Sequence, residues 1–213
     1  MSVEVKICGL TRPGDAAAAR EAGADWLGIV FASGPRVVRP DRAAAIVTAA
    51  GDRPVLGVFG SQPASAILAI CDTARLAGAQ LHGAYTAADA SELRRAGLIV
   101  WQVVHLAGEA DLVRLDEPWE ADAVLVEPRV PHADGGAGSP LALPLARAAR
   151  ARLGARRMVL AGGLGPDTVA AAVGLVAPDV VDVSSGVESL PGVKDQEKIA
   201  RFVEAARGRS AVA

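Results

Sequence analysis

Cysteine is nearly absent from this chain: Cys8 and Cys71 are the only two among 213 residues. A pair so far apart makes no disulfide framework, and both thiols are expected to be reduced. Aromatic residues reach only 3%; together with abundant alanine and arginine this follows the pattern of GC-rich coding DNA and carries no mechanism. Net charge is also small, at −2, which leaves no field to gather nucleic acid or an anionic membrane surface. No window approaches the roughly 20 apolar residues of a membrane span, and the opening MSVEVKICGL lacks a basic segment followed by a long apolar stretch. A cytoplasmic protein without nucleic-acid or membrane partners is expected. The three histidines, His82, His105 and His132, have no paired-ligand spacing and no CxxC beside them, so no metal is expected. No complete dinucleotide fingerprint opens the first helical segment, which leaves no basis for a nicotinamide cofactor.

What the chain does have is a hydrophobic content of 51%, enough to bury one sizeable core. A single domain over residues 1–213 is expected. Short apolar, β-branched runs alternate with longer alanine-rich stretches of helical period, the pattern of repeated βα units on a parallel sheet. The candidate strands are Val3–Cys8, Trp26–Phe31, Pro54–Phe59, Ala79–His82, Leu98–Val104, Ala123–Glu127, Met158–Ala161 and Val180–Val183. Candidate helices lie near 13–22, 41–50, 63–76, 86–96, 109–115, 141–153, 166–176 and 195–207, the fifth having the weakest pattern. Eight units in so short a chain, ending on a helix, suit a closed (β/α)8 TIM barrel better than a doubly wound sheet. In such a barrel the strand ends and the βα loops carry the chemistry. The longest non-helical connections are Ala32–Pro40, Pro128–Pro140 and Ser184–Lys194, and long loops in compact domains are usually functional.

The polar residues at these strand ends are the candidates. Cys8 closes the first apolar run; it is either a small buried hydrophobe or a thiolate whose pKa nearby charge sets, fit to act as base or nucleophile. Cys71 sits inside a helical pattern and reads as core. Glu127 ends the sixth strand before Pro128; it either caps a loop or pairs with Arg129, or, if desolvated, has a raised pKa and serves as a general acid. Arg36 follows the second strand, where a guanidinium can grip a carboxylate bidentately or lie solvated at the surface. His82 could be a structural hydrogen-bonding residue. Three late segments carry glycine: Gly135-Gly136-Ala137-Gly138, Gly162-Gly163-Leu164 and Ser184-Ser185-Gly186. Each is either a tight turn or a backbone cradle for phosphate, and the last two fall after strands seven and eight, where barrels often bind phosphate.

At these residues the sequence resembles the phosphoribosylanthranilate isomerase family almost from end to end. Lys6-Ile7-Cys8-Gly9-Leu10-Thr11 resembles the family's opening signature. Gly28-Ile29-Val30-Phe31 with Ser33-Gly34-Pro35-Arg36 is similar to its second strand and loop, and Gln80-Leu81-His82-Gly83 to its fourth-strand signature. Leu160-Ala161-Gly162-Gly163-Leu164 and the run from Val181 through Asp182 and Ser184-Ser185-Gly186 to Ser189 look like its phosphate-binding loops; Pro191-Gly192-Val193-Lys194-Asp195 matches the entry to its last helix.

The resemblance implies a cofactor-free Amadori rearrangement of N-(5-phosphoribosyl)anthranilate to 1-(2-carboxyphenylamino)-1-deoxyribulose phosphate, a step of tryptophan biosynthesis. It makes Cys8 the general base and places Glu127 where the family has an aspartate general acid. It also gives Arg36 the anthranilate carboxylate, puts His82 and Asp182 on the substrate, and sets Gly136, Gly138, Gly162, Gly163, Ser184, Ser185 and Gly186 around the phosphate. Three departures accompany it: glutamate at 127, with Asp134 as a possible substitute acid; Ala137 where the glycine-rich loop usually has a hydroxyl residue; and Phe59-Gly60-Ser61 after the third strand. The changed acid position supports a second reading, a diverged paralogue that binds or isomerises a related phosphorylated amino sugar. A different sugar-phosphate barrel is a third, disfavoured by cysteine at position 8. A monomer or weak homodimer is expected.

Overall fold

A computed structural model describes residues 2–117, 119–129 and 140–208. Eight parallel strands close into a barrel in sequential order: β1 (Glu4–Ile7), β2 (Trp26–Val30), β3 (Val55–Phe59), β4 (Gly78–Leu81), β5 (Ile99–Leu106), β6 (Ala123–Pro128), β7 (Met158–Leu160) and β8 (Val180–Val183). Closure is made where β1 pairs with β8, Lys6 beside Asp182 and Ile7 beside Val183. Around them pack α1 (Pro13–Glu21), α2 (Pro40–Ala50), α3 (Ala64–Ala74), α4 (Ala87–Arg95), α5 (Leu143–Leu153), α6 (Val169–Val176) and α7 (Gln196–Ala206). The barrel expected from the pattern is therefore observed.

Local chemistry explains where the elements begin. Pro13 and Pro40 open α1 and α2, where a missing N–H costs nothing and φ is already helical. Thr86 and Asp89 form a reciprocal capping box at α4, satisfying two N–H groups that would otherwise lack partners. Asp195 caps α7 by accepting from the Lys198 amide at 3.1 Å. The fifth helical segment differs from expectation: Glu109–Asp116 is a 3₁₀ helix, its entry held by the Asp111 carboxylate, which accepts from the Ala107 amide at 2.7 Å. A short hairpin, β9 (Glu188–Leu190) with β10 (Val193–Lys194), lies within the connection 184–194; strands of two and three residues are too short for periodicity to register.

Strand alternation divides the apolar side chains into two clusters. Val5, Ile7, Leu27, Ile29, Leu81, Val100, Val126 and Leu160 face the helices in the larger one. Leu56, Trp101, Leu125, Val159 and Val180 form the smaller one along the barrel axis. Above the latter, toward the carboxyl ends of the strands, the axis-facing positions turn polar, and Lys6, Gln80 and Asp182 are all buried there.

The opposite rim is built on a repeated device. Asp25, Asp122 and Asp179 each stand just before a strand, and each carboxylate accepts from the backbone amide of the preceding strand: Val5 at 2.8 Å, Val100 at 2.8 Å and Met158 at 2.7 Å. Each also pairs with an arginine of the helical layer, respectively Arg207, Arg94 and Arg150. Among the described residues, no helix is long and apolar enough to cross a membrane.

Candidate active site

Ten of the residues proposed from sequence line one pocket at the carboxyl end of the barrel: Cys8, Arg36, His82, Glu127, Gly162, Gly163, Asp182, Ser184, Ser185 and Gly186. Gly136, Gly138, Asp134 and Ala137 lie outside the described residues. Cys71 is elsewhere, buried on α3 with its thiol pushed up to about 12 by desolvation, and is unreactive there.

Cys8 follows β1 directly, with its amide bonded to the Val183 carbonyl at 2.8 Å. Its thiol and the Lys6 ammonium both press against Gly28 of β2, where an added Cβ would come within 2.8 Å of Cys8 Sγ and 3.2 Å of Lys6 Nζ. Glycine at 28 is what gives the pair room. Lys6 donates to Gln80 Oε1 at 3.0 Å and to Asp182 Oδ1 at 3.1 Å, with Trp101 beneath it at 5.5 Å from the ring centroid. Burial disfavours the charge of Lys6, but Asp182 and a Cys8 thiolate outweigh it, and Lys6 holds its proton more tightly than a free lysine. Burial pushes the Cys8 thiol up, opposed chiefly by Lys6. A thiolate formed at this position thus has an ammonium beside it.

Arg36 runs along Gly9, whose φ of +70° and whose approach to Arg36 Cδ and Ser184 Oγ leave no space for a side chain. The sequence reading gives the guanidinium fork of Arg36 to a ligand carboxylate; in the structure Nε and Nη2 grip the protein's own Glu188, at 2.8 and 2.7 Å. Buried Lys194 donates to the same carboxylate at 2.9 Å and to the Ser184 carbonyl at 2.9 Å. Burial works to raise the pKa of Glu188, but Arg36 and Lys194 together hold it below the ordinary carboxylate range. This network ties the loop after β2 to the loop after β8.

Glu127 corrects a second expectation. Desolvation does push its pKa upward, as the sequence reading supposes, but hydrogen bonds from His105 and His82 outweigh burial and bring it down to about 2. His82 Nε2 lies 2.6 Å and His105 Nε2 2.9 Å from the same oxygen, Oε1, and the two rings meet edge to face with centroids 4.8 Å apart. Burial lowers the pKa of His82, but the bond and charge of Glu127 more than reverse this, and the imidazole holds its proton more tightly than usual. Glu127 is thus an anion held between imidazoles.

His105 is the residue that the sequence reading missed. The strand it predicts ends at Val104, whereas β5 runs to Leu106. Continuing the alternation Trp101, Val103 by one step would have brought His105 to the inner face at the pocket.

Among the described residues, His82, His105 and Glu127 are the three whose donor atoms come close enough, within 4.8 Å, to share an ion. The separations favour hydrogen bonds. Ligands about 2.0–2.1 Å from a tetrahedral zinc stand about 3.3 Å from one another, whereas 2.6 and 2.9 Å are N–H···O lengths.

A closed parallel barrel with a cysteine, imidazoles, carboxylates and glycine-bearing loops gathered at its carboxyl end defines an enzyme of the (β/α)8 class with side-chain acid and base groups. Comparison with known proteins narrows this class. Residues 5–205 match the model of the N-(5'-phosphoribosyl)anthranilate (PRA) isomerase family. A relative from Symbiobacterium thermophilum named N-(5'-phosphoribosyl)anthranilate isomerase is 40% identical, over 96% of this chain and 98% of its own. Solved structures agree: monomers of the dimeric phosphoribosylanthranilate isomerase from Thermotoga maritima superpose with a TM-score of 0.84 at 33% identity, covering 97% of this chain and 99% of that one. A phosphoribosyl anthranilate isomerase in complex with reduced 1-(o-carboxyphenylamino)-1-deoxyribulose 5-phosphate superposes at 0.81 and 32% identity, with the same coverage. The chain belongs to the N-(5'-phosphoribosyl)anthranilate isomerase family.

Proposed function

We propose that this protein isomerises N-(5'-phosphoribosyl)anthranilate to 1-(2-carboxyphenylamino)-1-deoxyribulose 5-phosphate in tryptophan biosynthesis. The observation that carries this reading is the convergence of Cys8 with the Glu127 cluster in one pocket of a chain that matches the family over residues 5–205. The diverged-paralogue reading rests on glutamate at 127 alone and is not favoured.

In the proposed chemistry an acid group of the Glu127 cluster protonates the furanose ring oxygen as the C1′–O bond breaks, and the aniline nitrogen lone pair forms the iminium ion. The Cys8 thiolate, stabilised by Lys6, removes the C2′ proton, and those electrons form the C1′–C2′ double bond of the enolamine. Tautomerisation then yields the ketone. Side chains alone supply this sequence, with no cofactor or metal step. The backbone at Gly162, Gly163, Ser184, Ser185 and Gly186 cradles the phosphate, with Gly136 and Gly138 proposed to join it. Asp182 and His82 face the sugar. Arg36, positioned by Glu188, is assigned to the anthranilate carboxylate. A single domain, a cytoplasmic location and a monomer or weak homodimer complete the reading.

The test is fluorescence-monitored turnover of phosphoribosylanthranilate made in situ from anthranilate and phosphoribosyl pyrophosphate. Wild type should convert it, and Cys8→Ala should lose about 1000-fold in kcat, in the range removal of a general base produces. A folded wild type that binds the product analogue without turnover would transfer the assignment to the paralogue.

A further inference from the structure

We propose that His82, rather than Glu127, delivers the proton to the ring oxygen, with Glu127 and His105 as the residues that hold and orient it. This deepens the isomerase reading and rests on it. One glutamate oxygen accepts two imidazole N–H groups, at 2.6 and 2.9 Å. An oxygen so placed is filled by donors, and the group best suited to it is an acceptor-only carboxylate. The extra methylene of glutamate over aspartate carries the carboxylate forward to meet both rings.

Exposure separates the roles. The side chain of His82 is 36% exposed, against 26% for His105 and 20% for Glu127. His82 also leads the loop that follows β4, its amide anchored to the Phe59 carbonyl at 2.9 Å, and it lines the pocket. All three side chains line the pocket, and His82 is the most open of them to a ligand.

The protonation states agree. With its pKa at about 2, Glu127 would carry a proton in about one molecule in 10⁵ at pH 7. The bond and charge of Glu127 favour the protonated form of His82, the form that a general acid requires. The charged groups around His82 are Glu127 from β6 and Asp182 from β8, which favour the imidazolium, and Lys6 from β1, which opposes it. His105 comes from β5, while β3 contributes uncharged Phe59. His105 is a positioning residue: its bond to Oε1 fixes the carboxylate and competes with His82 for it.

Nuclear magnetic resonance titration of the histidine ring protons, three residues in the whole chain, combined with pH profiles of kcat/KM, tests this. Wild-type His82 should titrate above 6.5, and in Glu127→Gln its midpoint should fall below that value. His82→Gln should lose about 100-fold in kcat with KM little changed, and the lower limb of its kcat/KM profile should depart from the wild-type position. The phosphate of the substrate ionises near pH 6 in every variant, so the shift between variants is what is read. His105→Leu should move the His82 midpoint, and the lower limb with it, upward, which a purely structural role would not do. A wild-type His82 titrating at or below 6.5, or full kcat in a folded His82→Gln, overturns this inference while the isomerase stands. An inert, folded wild type overturns the isomerase reading and the acid role together.

Discussion

The two rims of the barrel use carboxylates in opposite ways. At the amino ends of the strands, Asp25, Asp122 and Asp179 each take a backbone amide and an arginine from the helical layer. Those carboxylates are partly open to water and serve strand placement. At the carboxyl ends, Asp182, Glu127 and Glu188 face other side chains, Lys6, the two histidines, and Arg36 with Lys194. Charge is fixed there by neighbours rather than by solvent. One residue type thus serves stability at one end and proton chemistry at the other, as expected of a barrel whose site sits at the strand carboxyl ends.

Substitutions can break this contrast, and the largest effect is expected where a buried charge loses its partner. Lys6→Met strands Asp182, which is 8% exposed, and should cost about 3–5 kcal/mol in urea unfolding; a cost under about 1 kcal/mol would mean that the pair does not hold the mouth together. A smaller effect depends on pH. The folded pKa of Glu127 lies below its unfolded value of about 4.3, so its ionised form contributes stability that is present above that pH and lost as pH falls toward about 2. Wild type should therefore exceed Glu127→Gln by up to about 3 kcal/mol near neutrality, with the gap closing between pH 4.5 and 2. A gap constant over that window would show that the imidazoles do not depress this carboxyl. The smallest change is expected at the other rim. Asp122→Ala leaves the buried Val100 amide unpaired and should cost about 1.5 kcal/mol, with kcat unchanged in the turnover assay.

The eight strands were legible because each is an apolar, β-branched run bounded by a turn, and each of the eight predicted runs overlaps an observed strand with ends displaced by at most two residues. Their ends were not, and at the ends the chemistry lies. Two residues of error on β5 hid His105, since an apolar run fades where a barrel strand reaches the polar mouth. Lys6 and Gln80 stood in motifs that resembled the family, yet no spacing rule could bring β1, β4 and β8 to one ammonium. The Arg36–Glu188 pair joins residues 152 apart, which only tertiary structure can reveal. Cys8, Glu127 and Arg36 could be found because each sits where a strand pattern meets a loop. The protonation of Glu127 was illegible for the same reason as His105: the partners that set it lie on neighbouring strands.

The aspartate clips also divide the barrel unevenly. They fasten β1 to β2, β5 to β6 and β7 to β8, whereas the residue before β4 is Ala77, whose methyl group can accept nothing. Local opening starts where the ties are weakest, and of the four successive units β1–β2, β3–β4, β5–β6 and β7–β8 it is β3–β4 that lacks a carboxylate clip at its foot. In native-state hydrogen exchange its amides should lose protection before those of the three clipped units, giving the barrel a seam on the side that carries His82.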